Sequence, residues 1–133
     1  MESTVRILKA ISDESRLRIL NLILSADEIC VCDLESTLKF SQTKVSRHLT
    51  VLKNAGLVND RRQGLWILYT YTGVTEEAHR KLLAGLKDVF GSGPVFQEDI
   101  RRLKQAVKSG RCKTFNVIHP NRAIKVMQLQ GDV

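Results

Sequence analysis

The stretch Ser41 to Tyr71, SQTKVSRHLTVLKNAGLVNDRRQGLWILYTY, decides how this chain is read. Ser41 is placed to cap a helix, since its hydroxyl accepts an otherwise unpaired N–H of the first turn. Val45, Leu49 and Leu52 then fall within about 60° on a helical wheel and define a core face. Thr43, Ser46, Arg47 and Thr50 fall on the opposite side. Gly56 stands where a left-handed residue ends a helix. Two strand-like runs follow, Leu57–Arg62 and Leu65–Tyr71, and Gln63-Gly64 between them reads as a hairpin turn.

Upstream, Cys32 to Leu38 reads as a short helix with Leu34 and Leu38 on one face, and Ser25–Glu28 as a polar connection. Leu17, Leu20 and Leu24, widened by Ile19 and Ile23, predict a buried helix over 13–24, capped by Ser12 or Asp13. Val5, Leu8 and Ile11 mark a first helix. Downstream, Thr75–Phe90 carries a broad apolar stripe, Gly91 to Pro94 breaks the chain, and 95–109 is helical with Ile100, Leu103 and Val107 in register. Residues 110–133 are basic, contain Pro120 and show no period, which suits an extended or unordered segment. The order is mainly α with a β-hairpin wing, ααααββα(α): a winged helix-turn-helix over 1–91 and an extension over 92–133, a helix and then a basic tail.

At 133 residues with 43% apolar content, the chain suits one hydrophobic core. Its net charge of +7 favours a polyanionic partner. The excess is concentrated: 39–62 holds six basic groups to one acidic, and 100–131 holds eight to none. Nothing near Met1 resembles a signal peptide, and no apolar run is long enough to span a bilayer. With no disulfide framework either, a reducing cytoplasm is the expected compartment and no membrane partner is expected. There is no glycine-rich phosphate loop, zinc-hydrolase histidine pair or Ser/His/Asp grouping, so no enzyme is expected and no constitutive cofactor.

Helix, short turn, capped helix and basic hairpin, in that order, point to double-stranded DNA. Gln42, Thr43, Ser46, Arg47 and Thr50 offer side chains for base edges in the major groove, and Arg47 suits guanine. His48 flanks this helix and either touches DNA or packs. Arg61, Arg62 and Gln63 at the hairpin tip suit phosphate. The basic run from Arg101 to Lys125 leaves open a general nucleic-acid binder with little sequence preference.

The segment EICVCDLESTLKFSQTKVSRHLTVLKNAGLVNDRRQGLWILYTY, Glu28 to Tyr71, resembles the core of the ArsR/SmtB family of metal-responsive repressors. LKAISDESRLRIL, Leu8–Leu20, resembles that family's opening segment, with Glu14 where a proline is common. The resemblance covers about half the chain. It implies a homodimer, joined through helices near 3–11 and 75–90, that binds an inverted-repeat operator and leaves it when metal binds. It also implies that Ser41–Lys53 is the recognition helix.

Within that resemblance, Cys30 and Cys32 are the candidate sensor. Thiolates are soft ligands, suited to arsenic(III) or antimony(III) as inducer, with cadmium or lead as the alternative. On a regular helix positions i and i+2 point about 200° apart, so gathering both sulfurs on one ion is expected to unwind or tilt the first turn. The same geometry counts against a disulfide between them, and so against a metal-independent redox regulator. Related arsenite sensors carry a third cysteine three residues after the second; here that position is Glu35. Cys112 is the remaining thiol and the candidate third ligand. Zinc sensing on 75–90 would draw on Glu76, Glu77 and His79, which read as an ordinary helix face.

Overall fold

The computed structural model describes residues 1–129. Two helices open the chain, α1 (Glu2–Ile11) and α2 (Glu14–Ala26). A short strand β1 (Glu28–Cys30) runs directly into α3 (Val31–Leu38), and α4 (Gln42–Asn54) completes the helix-turn-helix. The hairpin β2 (Val58–Gln63) and β3 (Trp66–Tyr71) forms the wing. Then come α5 (Glu77–Ser92), α6 (Pro94–Lys108), a π-helical turn (Thr114–Ile118) and α7 (Pro120–Met127).

Local chemistry accounts for most boundaries. Asp13 accepts the Arg16 N–H at 3.0 Å and starts α2. Ser41 does the same for α4, accepting from Lys44 N–H at 3.1 Å. Lys39 takes a left-handed conformation at φ 59° and ends α3. Gly56 ends the recognition helix at φ +79°, and Gly64 turns the hairpin at φ +61°, a region where a side chain would be strained.

The core centres on α2, whose Ile19, Leu20, Leu22 and Ile23 are fully enclosed. Leu34 of α3, Val45, Leu49 and Leu52 of α4, and Ile100 and Leu103 of α6 pack in the same cluster. α6 is tied to α2 by a bidentate pair, Arg18 Nε and Nη2 donating to Asp99 at 2.8 and 2.9 Å. Asp99 is buried, so this carboxylate depends on its guanidinium partner.

Two expectations are corrected. Ser25–Glu28 is not a polar connection: Ser25 and Ala26 end α2, and Glu28 opens β1, which pairs antiparallel to β3 with Glu28 opposite Thr70 and Cys30 opposite Leu68, so the sheet runs β1-β3-β2. The run after residue 110 is not loose up to 129. It folds back as the π turn and α7, and places Cys112, Phe115 and Val126 in the same core as α2. The part of that expectation falling on 130–133 lies outside the described residues. Glycine at 110, with φ +79°, lets the chain reverse after α6.

Phe115 tests this integration, because it is fully buried although it lies far outside the winged-helix segment. Phe115→Ala is expected to destabilise the chain by about 3–5 kcal/mol, measured by urea unfolding. A loss well under 1 kcal/mol would show that the extension is a separable appendage.

Candidate sensor and nucleic-acid interface

Cys30 belongs to two elements at once. It is the last residue of β1 and the N-cap of α3, with extended backbone at φ −69° and ψ 142°. Its Sγ accepts the Cys32 N–H at 3.3 Å, as a cap does. Cys32 sits in the first helical turn, its Cα 5.3 Å from that of Cys30. The two sulfurs meet and are joined as a disulfide. The expectation that they converge only by unwinding the helix is therefore corrected. A residue before the helix is not bound by the helical rotation, and its ψ turns the thiol towards the next turn.

Asp33 follows, and its carboxylate is enclosed. Oδ1 accepts Lys113 N–H at 2.9 Å; Oδ2 accepts Thr114 N–H at 2.7 Å and the Thr114 hydroxyl at 2.5 Å. The same hydroxyl accepts Cys30 N–H at 2.6 Å. Among the described residues, ligand atoms of Cys30, Cys32 and Asp33 all lie within 4.8 Å of one another, a donor set of two sulfurs and one oxygen. That set fits a thiophilic metalloid or a borderline divalent cation once the sulfurs are reduced. Cys112 does not join the group. It is buried, and burial together with the nearby Asp33 carboxylate pushes its thiol pKa far up, which holds it protonated and poorly suited to ligation.

Cys30 and Cys32 help line a cavity of about 260 Å³. Its walls include Cys30, Cys32 and Glu35 on one side, Gln42, Ser46 and Thr50 of α4 on another, and Trp66 of the wing on a third. The cysteine pair and α4 thus share a space.

The predicted DNA-facing residues divide. Gln42, Thr43, Ser46, Arg47 and Thr50 are exposed on α4, with the Thr50 hydroxyl donating back to Ser46 C=O at 2.9 Å. His48 is not on that face. It is only 6% exposed, packed where Arg16 Nη1 stands 3.3 Å from its Nδ1, and burial lowers its pKa. Position 48 falls three after Val45 and four before Leu52, so it belongs to the core stripe. Arg62 is exposed near the turn with no acidic partner among the described residues, and Gln63 is half-buried beside it. Arg61 is not a free tip cation: it lies opposite Leu68 and donates through Nε and Nη2 to Glu28 at 2.6 and 2.8 Å. Glu28 also meets His119 Nε2 at 2.8 Å and Arg122 Nη1 at 3.9 Å, so the extension and the wing share one carboxylate. Asp33, Glu28 and Thr114 carried no signal in the sequence, because their partners lie far away along the chain.

These features define a winged helix-turn-helix with a cysteine pair beside α4. The family model described as "Bacterial regulatory protein, arsR family" matches residues 13–60. The arsenical resistance operon repressor of Escherichia coli K12 is 46% identical over 65 residues, 49% of this chain and 56% of that protein. The cadmium resistance transcriptional regulatory protein CadC of Listeria innocua is 38% identical over 61 residues, 46% of this chain and 51% of that protein. The match to such curated relatives spans about half of their length. The solved structure of HlyU from Vibrio cholerae N16961 superposes with a TM-score of 0.55 at 38% identity, over 64% of this chain and 91% of that one. The chain belongs to the arsR family. No helix among the described residues is long and apolar enough to cross a membrane.

Arg61 donating to Glu28 is the first cause that holds the Glu28 carboxyl below its ordinary 4.5, with burial opposing. A depressed folded pKa stabilises above the unfolded value and is lost as pH falls through the folded one. Glu28→Gln is therefore expected to lower the melting temperature at pH 7, with the gap to wild type closing below about pH 4. A gap independent of pH would remove the ion pair as its cause.

Proposed function

We propose that this chain is a transcriptional repressor that binds operator DNA as a homodimer and releases it when arsenic(III) or antimony(III) binds the reduced thiolates of Cys30 and Cys32. The observation that carries this reading is the shared cavity: a group held by the sulfurs stands against Gln42, Ser46 and Thr50, on the helix suited to the major groove. Metal and DNA then favour different placements of α3 and α4, which is a coupling between two sites. Association suits the outer faces of α1 and α5, where Val5, Leu8, Leu82 and Val89 leave apolar surface exposed. The Thr4 hydroxyl and His79 Nε2, 2.8 Å apart, hold those two helices together. A two-fold dimer matches a two-fold operator. The repressor reading draws support from the Escherichia coli relative, and cadmium or lead as alternative inducers from the Listeria one. A cytoplasmic location suits a DNA-binding protein whose sensor must be reduced.

The disulfide favours a second reading, in which oxidation of Cys30 and Cys32 itself switches DNA binding without metal. Fluorescence anisotropy on the operator separates the two. The metalloid reading expects arsenite to release the reduced protein; release by a thiol oxidant alone, with arsenite inert, would replace it with the redox reading.

Cys30→Ser and Cys32→Ser are each expected to bind operator as wild type does and to resist release by arsenite. Loss of operator binding without metal in both would make the cysteines structural. Arg47→Ala is expected to weaken operator binding by about 1–3 kcal/mol and to leave binding to random DNA less affected. Equal losses on both DNAs would exclude base readout by Arg47.

A further inference from the structure

Two thiolates leave a trivalent or divalent centre short of a donor, and neither Glu35 nor Cys112 stands in the converging group. Asp33 does, with an oxygen within 4.8 Å of both sulfurs. Ligand atoms on a four-coordinate ion with metal–sulfur bonds of about 2.3 Å stand roughly 3.5–4 Å apart, so the Asp33 oxygen needs little movement, while the two sulfurs must part once their bond is reduced. Asp33 Oδ1 accepts Lys113 N–H, and the Cys112 thiol also bonds this carboxylate, so a metal would compete for its lone pairs with neighbours that can give way.

We propose that Asp33 is the third donor of the sensor, and that ligation by its carboxylate competes with the Thr114 hydroxyl that fastens the extension to the site. This rests on the dithiol reading above and names what completes it. Moving the Asp33 oxygens towards the sulfurs lengthens their bonds to Thr114 and Lys113. Thr114 is also the acceptor for Cys30 N–H, so any shift of Cys30 pulls on the same knot. A set of two sulfurs and one oxygen is less strictly thiophilic than three thiolates. It therefore makes the site more tolerant of borderline cations such as lead. No electron moves on binding: the two thiols lose their protons, to the buffer when a divalent cation binds and as water with two of its hydroxides when arsenite does, and the carboxylate contributes a lone pair.

The test uses the full chain reduced with a phosphine, which turns the disulfide into two thiols and leaves as phosphine oxide with oxygen from water. Cadmium(II) is titrated alone, following thiolate-to-cadmium absorbance, and amide exchange at Lys113 and Thr114 is measured with and without it. Wild type, Asp33→Asn and Thr114→Val are expected to reach the same two-thiolate amplitude. Affinity should fall about tenfold or more in Asp33→Asn, the scale seen when groups supporting a metal site are removed. It should rise several-fold in Thr114→Val, where the competitor is gone, and cadmium should speed exchange at both amides in wild type. Thr114→Val carries the test if Asp33→Asn does not fold, because a purely structural Thr114 predicts no gain in affinity. Full amplitude with Asp33→Asn binding as tightly as wild type, or Thr114→Val binding no tighter, overturns the proposal and leaves the dithiol sensor intact. Absence of thiolate absorbance in wild type overturns both.

Discussion

Cys30 N–H donates to the Thr114 hydroxyl, and that hydroxyl donates to Asp33. Most of what is particular to this chain hangs on that relay. It fixes Cys30 in extended backbone at the end of β1, so the first thiol stands outside the helix and meets the second. It spends the buried Asp33 carboxylate on the backbone of the extension, satisfying a charge that would be costly alone. And it joins a segment beyond residue 110 to the helix that supports the recognition helix. All three bear on the proposed sensor at once, which has to be both rigid and connected to α4.

The charge distribution gains a different meaning in the folded chain. In the sequence, residues 39–62 and 100–131 are two basic blocks, and both invite assignment to phosphate. In the structure, several of those cations already have work inside the protein. Arg61 and Arg122 meet Glu28, and Lys125 pairs with Asp27. What remains outward near the reading face is a smaller set, with Arg47 and Arg62 foremost, and that set is better suited to selective contact than to coating any polyanion.

The parts legible in the sequence were those whose cause is local. Ser41, the stripe of Val45, Leu49 and Leu52, Gly56 and the Gln63-Gly64 turn act within a few residues of themselves, so α4 and the wing were readable. His48 was readable too, since it repeats the core stripe, but its chemistry drew attention to the wrong face. β1 was not, because three residues carry no periodicity and exist as a strand only through pairing with β3. The helices after residue 110 were hidden for the same reason at longer range: they are held by docking against α6 and α2. Asp33 looked like an ordinary acidic residue near a helix start, since its partners stand 80 and 81 positions away.

Glu28 gathers Arg61 from the wing with His119 and Arg122 from the extension, and this bears on how interchangeable such proteins are. The winged-helix portion alone has the form of a cassette, a unit ready to carry other tails. Here the cassette carries a buried acid whose countercharges come partly from beyond it. Grafting this portion onto a foreign C-terminus would strand that acid and slacken the wing. The two stretches must therefore be inherited together, and a chimaera that respects the family boundary would cut through the molecule's own seam.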